Sequence, residues 1–497
     1  MVFSSFPYIL VFLPLAVLVF FVLAQRGLVR ASSYWLIAAS LFFYGWWNYR
    51  YLLLPLGSVA FNYWLGRKLR DSPSSSRCLL GFGIAANLVL LGYYKYAGFF
   101  VENVAAVTGL ALPMPSIALP LAISFCTFQQ VSFLVDCSRN QVAPFNFRCY
   151  LLYITFFPHL IAGPVVRHHE LLPQLEQPRP LAVRWEDLTW GLHLFTLGLF
   201  KKAVIADTMA AYADPVFNAA ATGAVPSCLE AWGAALGYTF QLYFDFSGYA
   251  DMALGSARMF GIFLPENFNS PYKAENIADF WRRWHITLSH FLRDYLYIPL
   301  GGSRAGVTRT HVNLVLTMLL GGLWHGAAWT FVIWGTMHGV ALAVCHWWKG
   351  FSEARHWRMP SPVAWIVTML FVIVGWVIFR ASNWEAATRM LAALCGHAPL
   401  VLPKELAFVT HWGSFNDLAA TTTRNLGNLP DTTVFAYSLA LFAVCKWAPN
   451  SQQWVRERGF GAPENLTWAH CAMLAALLAV CLVSLLAHNE VFIYYVF

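Results

Sequence analysis

Charged residues are scarce in this sequence. Asp, Glu, Lys and Arg make up 11% of its 497 residues, whereas 59% are hydrophobic. A soluble domain carries about 25% charged residues, so the composition excludes a soluble globular fold. The formal net charge of +8 is then explained by basic loops at a membrane surface, and nucleic acid is not expected as a partner.

Cysteine patterns and signal-peptide features are also lacking. The ten cysteines include no CxxC pair and no metal-ligand spacing. They are expected to be small apolar core residues, so neither a disulfide framework nor a metal site is predicted. The N-terminus has neither a basic n-region nor a small-x-small cleavage site, and residues 6–24 are predicted to be an uncleaved first span.

Long apolar runs are abundant, and they predict an all-α polytopic membrane protein with about 11–13 transmembrane helices. A shorter run at 149–162 contains Pro158 and is followed by Pro164. It is too short and too broken to cross cleanly, so we expect a re-entrant element that lines a cavity. The longer runs lie at 6–24, 32–48, 51–66, 79–97, 117–136, 188–206, 229–250, 311–328, 329–348, 362–380, 433–447 and 468–487.

The sequence shows no internal repeat and no separate soluble domain, so we expect one membrane domain over residues 1–497. Its expected parts are N-terminal spans over 1–140, a core with re-entrant and amphipathic elements over 141–350, and C-terminal spans over 351–497.

Lys and Arg are unevenly distributed among the loops. The loops around 98–116 and 207–227 contain none, whereas those carrying QRGLVR, GRKLRDSPSSSR and KGFSEARHWR are rich in them. Because basic loops remain in the cytoplasm, this asymmetry predicts that both termini face outward. The segment 381–432 is then a long outward loop. This topology requires that 149–162 does not cross, which favours the re-entrant interpretation.

The region 251–310 is neither a simple span nor a simple loop. Residues 279–298 have the spacing of an amphipathic helix at a membrane surface. Its arginines match phosphate geometry and predict an anion site, for instance for CoA. Anchoring to anionic lipid headgroups is an alternative that stays open. The apolar side carries Phe280, Trp284, Leu288, Phe291 and Tyr295, and the arginines of the predicted anion site are Arg282, Arg283, Arg293 and Arg304.

Each ionisable side chain at membrane depth is a candidate for function. His325 lies in GGLWHGAAWT, where glycines leave room for a substrate and tryptophans exclude water. This setting suits a general base that acts on a hydroxyl. The alternative is a core histidine that is hydrogen-bonded to a neighbouring helix, and we expect that role for His338. The other members of the set are Asp245, Asp251, Lys201 and Lys202.

Asp245 lies among aromatic residues in QLYFDFSGYAD and needs a donor or a wet cavity. A structural pair with an arginine and a catalytic role are both open. Lys201 and Lys202 are expected to extend to the membrane interface. A metal site is not expected at His285 and His290, because residues five apart point to different faces of a helix.

Composition and spacing alone fit a transporter or flippase as well as an enzyme. Several strings, however, resemble the membrane-bound O-acyltransferase family, in particular its bacterial branch that acts in alginate acetylation and in D-alanyl transfer to teichoic acid. They occur in the family's order along the chain. They are FPHLIAGPVVR, GLFKKAVIAD, YTFQLYFDFSGYADMALGSARMFGI, LPENFNSPY, DFWRRWHITLSHFLRDYLYIPLGG and GGLWHGAAWTFVIWGTMHG.

This resemblance implies spans that surround a central tunnel with the catalytic histidine, His325, at its narrowest point. His285 in WRRWH matches the second functional histidine of the family. The donor implied is acetyl-CoA, which arrives from the cytoplasm as a substrate, and no permanently bound cofactor is expected. The four arginines would hold CoA, and His285 or Trp324 would stabilise the oxyanion.

The C-terminus NEVFIYYVF resembles an aromatic motif of the same branch, F-x-Y-F-x-F. Phe492, Tyr494, Tyr495 and Phe497 match its pattern, with Tyr495 in place of Phe. The resemblance implies that Tyr494 accepts the acyl group and passes it to a periplasmic transferase. An aromatic anchor at the membrane interface is the alternative.

The function expected from this resemblance is O-acetylation of an exported polysaccharide, alginate-like or another such as cellulose. The enzyme would reside in the bacterial inner membrane with both termini in the periplasm. Its expected partners are membrane lipid, a periplasmic SGNH-type acetyltransferase and a polysaccharide synthase or export complex. Alternatives are D-alanyl transfer from a carrier protein, passive transport of acyl groups or lipid-linked sugars, and a structural role in an export complex.

Overall fold

The computed structural model describes residues 1–71, 76–161, 163–176, 184–304, 306–398, 401, 429, 431–457 and 467–487. Within these ranges every regular element is a helix, so the predicted all-α fold is confirmed. The α-helices in these ranges are α1 (Leu13–Gln25), α2 (Val29–Asn48), α3 (Leu53–Asp71), α4 (Ser76–Leu91), α5 (Ala97–Thr108), α6 (Ile123–Ser138), α7 (Phe147–Thr155), α8 (Phe157–Leu160), α9 (His168–Glu176), α10 (Trp185–Phe200), α11 (Asp207–Ala221), α12 (Cys228–Met259), α13 (Ile277–Arg283), α14 (Ile286–Leu292), α15 (Val307–His325), α16 (Trp329–Arg355), α17 (Ser361–Arg380), α18 (Trp384–Leu394), α19 (Thr433–Trp447), α20 (Ser451–Glu457) and α21 (Trp468–Ala487).

Each predicted apolar run overlaps a helix, although residues 117–122 of the run at 117–136 precede the start of α6 at Ile123. Within the described residues, four helical stretches are long and apolar enough to cross a bilayer by length and composition alone. The helix Thr433–Trp447 is apolar but shorter, and other runs carry more polar side chains; α12, for example, contains Asp245, Asp251 and Arg258. Helices that pack inside a membrane protein tolerate such residues when these are paired. The four stretches are Pro7–Gln25, Arg77–Thr108, Ser361–Arg380 and Trp468–Ala487.

The chain divides into two compact units. One comprises Met1–Phe200, Gly248–Asn267 and the segment that begins at Ser451. The other comprises Lys201–Ser247 and Phe268–Asn450. The predicted division into spans, core and C-terminal spans stays a prediction.

In the first unit, α10 and the second part of α12 approach through glycines. A Cβ on Gly191 would lie 2.6 Å from the carbonyl oxygen of Gly255, and a Cβ on Gly255 would lie 2.6 Å from that of Gly191. Close helix approach of this kind needs small residues at the contact. The same part of α12 carries Asp251, whose carboxylate accepts hydrogen bonds from Ser451 and Gln452.

The short run at 149–162 forms two helices, α7 and α8, which are separated at Phe156. Phe156 and His159 are buried. The predicted interruption is therefore observed, whereas the re-entrant path through the membrane stays a prediction.

The prediction of a single amphipathic helix over 279–298 is wrong. The segment forms α13 and α14, followed by a π-helical turn at Arg293–Tyr297. The break falls at Trp284 and His285, because His285 has φ 44° and ψ 53°, a left-handed conformation that no α-helix accommodates. The apolar residues Phe280, Trp284, Leu288 and Phe291 are nonetheless buried, and Tyr295 is half-buried.

In the second unit, α15 and α16 pack as a hairpin joined by three residues. A Cβ on Gly322 would lie 2.3 Å from the carbonyl oxygen of Phe331, and a Cβ on Gly335 would lie 2.3 Å from that of Met318. Only glycine permits this backbone approach. The hairpin thereby fixes the end of α15, where His325 lies.

Candidate active site

His325 is the last residue of α15. Gly326 adopts an extended backbone with φ −158° and ends the helix. A Cβ at Gly326 would lie 2.0 Å from the Phe331 ring, so no other residue fits beneath it. The glycine after the histidine therefore both stops the helix and lets the first turn of α16 pack closely against it.

The His325 imidazole is enclosed by aromatic rings and only 7% exposed. Its centroid lies 5.0 Å from that of Trp324, 5.3 Å from that of Trp334 and 5.4 Å from that of Phe379. The three rings meet it edge to face, at 70° to 89°. Such walls exclude water, which strengthens electrostatic interactions within the site.

His285 lies between α13 and α14 and is completely buried. Its carbonyl accepts the first helical hydrogen bond of α14, from the Ser289 amide at 3.0 Å. The Phe246 ring, from α12, meets the imidazole at 4.8 Å between centroids and 86°. A non-glycine residue in the left-handed region stores about 1 kcal/mol of strain, a feature that is concentrated at functional sites.

The two histidines come together although 40 positions separate them in the sequence. Their ring centroids are 6.3 Å apart and the planes are inclined at 61°. The centroid of the Trp324 ring also lies 6.3 Å from that of the His285 ring. At this separation a small group placed between the imidazoles contacts both, so one can move a proton while the other binds an oxygen.

Two of the predicted arginines line one cavity of ≈ 830 Å³, a volume typical of ligand pockets in proteins. Arg282 and Arg293 line it together with Lys349 and His346, which were not predicted from the sequence. Arg293 forms an ion pair with Asp294 at 2.6 Å, and this hydrogen bond raises the pKa of the guanidinium.

The other two predicted arginines are not part of this lining. Arg283 pairs with Asp279 at 2.9 Å, and Arg304 lies exposed after the π-helical turn. Neither His285 nor His325 lines the cavity, so the predicted tunnel to the histidines stays a prediction.

Asp245 is paired with a lysine, and not with an arginine as one of the two interpretations of its sequence predicted. Lys202 Nζ lies 3.1 Å from Asp245 Oδ1 and 2.5 Å from Asp207 Oδ1. Lys202 and Asp245 are almost fully buried. The expectation that Lys202 extends to the membrane interface is therefore wrong, because its ammonium neutralises charge inside the second unit.

His338 has the core position expected for it. It is fully buried, and its Nδ1 accepts a hydrogen bond from Trp281 Nε1 at 3.2 Å. Across the described part of the chain, no three His, Cys, Asp or Glu side chains are grouped as metal ligands would be.

Among the aromatic partners of His285 and His325, Trp324 was anticipated, whereas Phe246, Trp334 and Phe379 were not. Phe246 and Trp334 lie in strings that the sequence argument quoted, but their contacts depend on how α12 and α16 pack. One signal was available: Trp334 and His338 are four apart on α16, and their rings lie 4.8 Å apart. Phe379, from α17, carries no such signal. Tyr494 and the rest of the C-terminal motif lie outside the described residues.

Residues 114–387 match the MBOAT, membrane-bound O-acyltransferase family, and both histidines lie within this match. The chain belongs to that family and is an acyltransferase of the membrane. This agrees with the enclosed pair of imidazoles, a setting suited to proton transfer during acyl transfer.

Individual relatives are similar over most of the chain. The peptidoglycan O-acetyltransferase of Helicobacter pylori is 43% identical over 424 residues, which cover 80% of each protein. The probable alginate O-acetylase AlgI of Pseudomonas aeruginosa is 42% identical, covering 79% of this chain and 75% of that protein. The teichoic acid D-alanyltransferase of Bacillus subtilis is 28% identical over 53% of this chain and 69% of its own length.

Proposed function

We propose that this protein is an O-acetyltransferase that takes acetyl groups from cytoplasmic acetyl-CoA and passes them across the bacterial inner membrane to an exported polysaccharide. The observation that carries the proposal is the buried pair of His285 and His325, 6.3 Å apart within aromatic walls. The names of relatives at 42–43% identity support acetyl as the group transferred.

In the proposed reaction, an acceptor hydroxyl attacks the thioester carbonyl and His325 takes its proton. His285, or the Trp324 indole N–H, donates to the carbonyl oxygen as negative charge develops there. The tetrahedral intermediate then expels the CoA thiolate, which takes the proton from the His325 imidazolium. The products are an acetate ester and the free thiol, and no metal or redox partner is required.

The donor is proposed to enter at the cavity lined by Arg282, Arg293 and Lys349. These cations suit the phosphates of CoA. The alternative within the family is a D-alanyl group delivered by a carrier protein, which would dock on a surface. The D-alanyltransferases share 28% identity with this chain, so the acetyl donor is favoured.

On the outward side we propose that a periplasmic SGNH-type transferase completes the transfer, with Tyr494 as the covalent relay and both termini in the periplasm. The phenol of Tyr494 would attack the acetyl thioester, release the thiol and later yield the acetyl group to the partner enzyme. Deletion of the last six residues tests the relay. Normal polymer acetylation by a stably inserted truncated protein would exclude it.

The proposed catalytic role is tested by replacing His325 with Ala and measuring acetyl groups on the exported polymer by NMR. The expected loss is at least 100-fold, because general acid–base catalysis contributes about 10²–10⁴-fold. His338→Gln is a matched control, since it replaces another buried histidine of the same hairpin and keeps an acceptor for Trp281. A passive transporter would keep substantial acetylation in His325→Ala while the protein stays folded.

The proposed donor is tested with purified protein and acetyl-CoA. Arg282→Gln together with Lys349→Gln should raise the KM for acetyl-CoA about tenfold and leave kcat nearly unchanged. Arg309→Gln is the control, because Arg309 is exposed nearby and does not line the cavity. Activity with a D-alanyl carrier protein and none with acetyl-CoA would replace the acetyl donor by the alternative.

A further inference from the structure

A second cavity lies in the first unit, among residues that the proposed reaction does not use. Its volume is ≈ 700 Å³, within the range of ligand pockets in proteins. It is bounded by the end of α1, the start of α2, α7, α9, the start of α10 and the turn after α12. One part of its lining is aromatic and aliphatic, including Phe20, Phe21, Leu36, Leu152 and Phe260.

The other part of the lining is cationic. It contains Arg30, Arg148 and Arg184, together with the carboxylates of Asp187 and Glu176. Three guanidinium groups against two carboxylates leave one positive charge in excess. A site with an apolar floor and a single excess positive charge is complementary to an amphiphile that carries one negative charge.

The three lining arginines differ in whether a carboxylate forms an ion pair with them. Arg184 lies 3.2 Å from Asp187, which also accepts from Arg258 at 2.6 Å. Among the described residues, no carboxylate forms an ion pair with Arg30 or Arg148. These two guanidinium groups are therefore available for an external anion.

The start of α2 strengthens the attraction for an anion. Val29, Arg30, Ser32 and Ser33 lie among its first five residues and line the cavity. The preceding residue, Leu28, offers no side-chain cap. The N-terminus of a 20-residue helix carries a partial positive charge, and it acts here together with two guanidinium groups.

The turn after α12 is held rigidly against this cavity. The Gln174 amide donates to the carbonyl of Phe263 at 2.8 Å and accepts from the Phe263 amide at 2.9 Å. The Arg258 guanidinium lies 3.8 Å from the centroid of the Phe263 ring. These contacts position Phe263 at the edge of the cavity in the absence of a ligand, which lowers the entropy lost on binding.

We infer that this cavity binds one anionic phospholipid. Its phosphodiester lies at Arg30, Arg148 and the start of α2, and its acyl chains lie along Phe20, Leu36 and Phe260. An apolar floor next to cations favours a lipid over a free anion, because inorganic phosphate leaves the apolar lining empty. The single excess charge favours phosphatidylglycerol over the zwitterionic phosphatidylcholine.

The test uses the full-length protein, purified in a mild detergent, and measures lipid binding by native mass spectrometry during titration. We expect Arg30→Gln with Arg148→Gln to weaken phosphatidylglycerol binding about tenfold or more, since each basic residue near an anionic headgroup contributes on the order of 1 kcal/mol. The matched control is Arg26→Gln with Arg139→Gln. It removes the same charge from exposed positions near α2 and α7 that do not line the cavity.

Each outcome decides the proposal. Equal weakening in both double variants would show general attraction to the basic surface and overturn it. So would equal affinity for phosphatidylcholine, or displacement of the lipid by millimolar inorganic phosphate. Ser33→Phe fills the cavity and leaves all charges in place, so unchanged binding in this variant would exclude the acyl-chain position. If the double variant fails to fold, the two single variants are each expected to weaken binding at least threefold.

Discussion

His285 combines a buried imidazole with a backbone conformation that few side chains adopt, φ 44° and ψ 53°. Asparagine tolerates this left-handed region better than alanine does. The local backbone and the chemistry of the side chain are therefore separable by substitution at one position.

We expect His285→Asn and His285→Ala both to lose polymer acetylation, because neither supplies an imidazole. The Asn variant should nevertheless be the more stable by about 0.5–1 kcal/mol, since it fits the left-handed backbone. Thermal unfolding in detergent and NMR of the polymer measure the two effects. Equal stability of the two variants would contradict the assigned backbone strain.

Lys202, Asp207 and Asp245 form a cluster in which the Lys202 ammonium makes ion pairs with both carboxylates. Lys202→Met should destabilise the protein by about 3–5 kcal/mol, because it leaves carboxylates without their cation. Adding Asp245→Asn should restore part of the loss, as measured by thermal unfolding.

The control for this pair is Lys349→Met, which makes the same change at a 73% exposed side chain. Its expected effect on stability is below about 0.5 kcal/mol. If Lys202→Met with Asp245→Asn is as unstable as the sum of the two single variants, the ion pair contributes no coupling.

Single residues were predictable from the sequence to different degrees. The glycine and tryptophan neighbours of His325 left a core histidine and a general base both open, and its catalytic role, which the resemblance implies, stays a prediction. His338 was correctly expected in the core. The partner of Asp245 was not predictable, because Lys202 lies 43 positions away and is brought near only by packing of the second unit. Phe379 beside His325 depends on the same packing.

At the scale of elements, the α15–α16 hairpin depends on glycine. Gly335→Ala should destabilise the protein by about 1–3 kcal/mol, since its Cβ would lie 2.3 Å from a backbone oxygen that cannot move aside easily. A Cβ on Gly350, on the same helix, would have no atom within 4 Å. Gly350→Ala should therefore be neutral or stabilising by up to about 1 kcal/mol.

Thermal unfolding of the two variants measures this difference. Acetylation should fall in Gly335→Ala as well, because the hairpin positions His325. Similar melting temperatures for both variants would show that α15 and α16 can move apart without loss of stability, which would contradict the importance of their close approach.

Hydrophobic runs predicted the positions of the helices within a few residues, as for 433–447 and 468–487. The apolar periodicity at 279–298 wrongly predicted one helix. The apolar residues are buried on both sides of the break at His285, although the helical backbone is interrupted there. An apolar pattern does not reveal that a histidine adopts the left-handed backbone conformation. The sequence therefore locates spans better than it locates the turn on which the candidate chemistry depends.

At the scale of the whole molecule, the distribution of basic loops predicts opposite sides of the membrane for two exposed native cysteines. Cys78 follows the basic segment GRKLRDSPSSSR, and Cys395 lies in the predicted outward segment 381–432. In single-cysteine variants, a membrane-impermeant maleimide should label Cys395 in cells with a permeabilised outer membrane. Cys78 should react only after the inner membrane is opened.

The reverse labelling pattern would invert the topology and place both termini in the cytoplasm. Labelling of both cysteines in intact inner membranes would contradict the expected number of crossings between them. Composition predicted the class of protein, and the motifs predicted its family. The path of 149–162 and the C-terminal relay are beyond what either could establish, because they depend on depth in the bilayer and on a partner enzyme.

The spacing of Lys202 and Asp207 also has a consequence for biogenesis. These two residues emerge from the ribosome on one continuous helical stretch, five positions apart, and their ion pair brings no net charge to the insertion machinery. Asp245 follows on α12, so its ion pair with Lys202 can form only after both segments have been synthesised. A Lys202→Met chain should therefore be delayed at the translocon while α12 is being inserted, and quality-control proteases should degrade part of it before it folds.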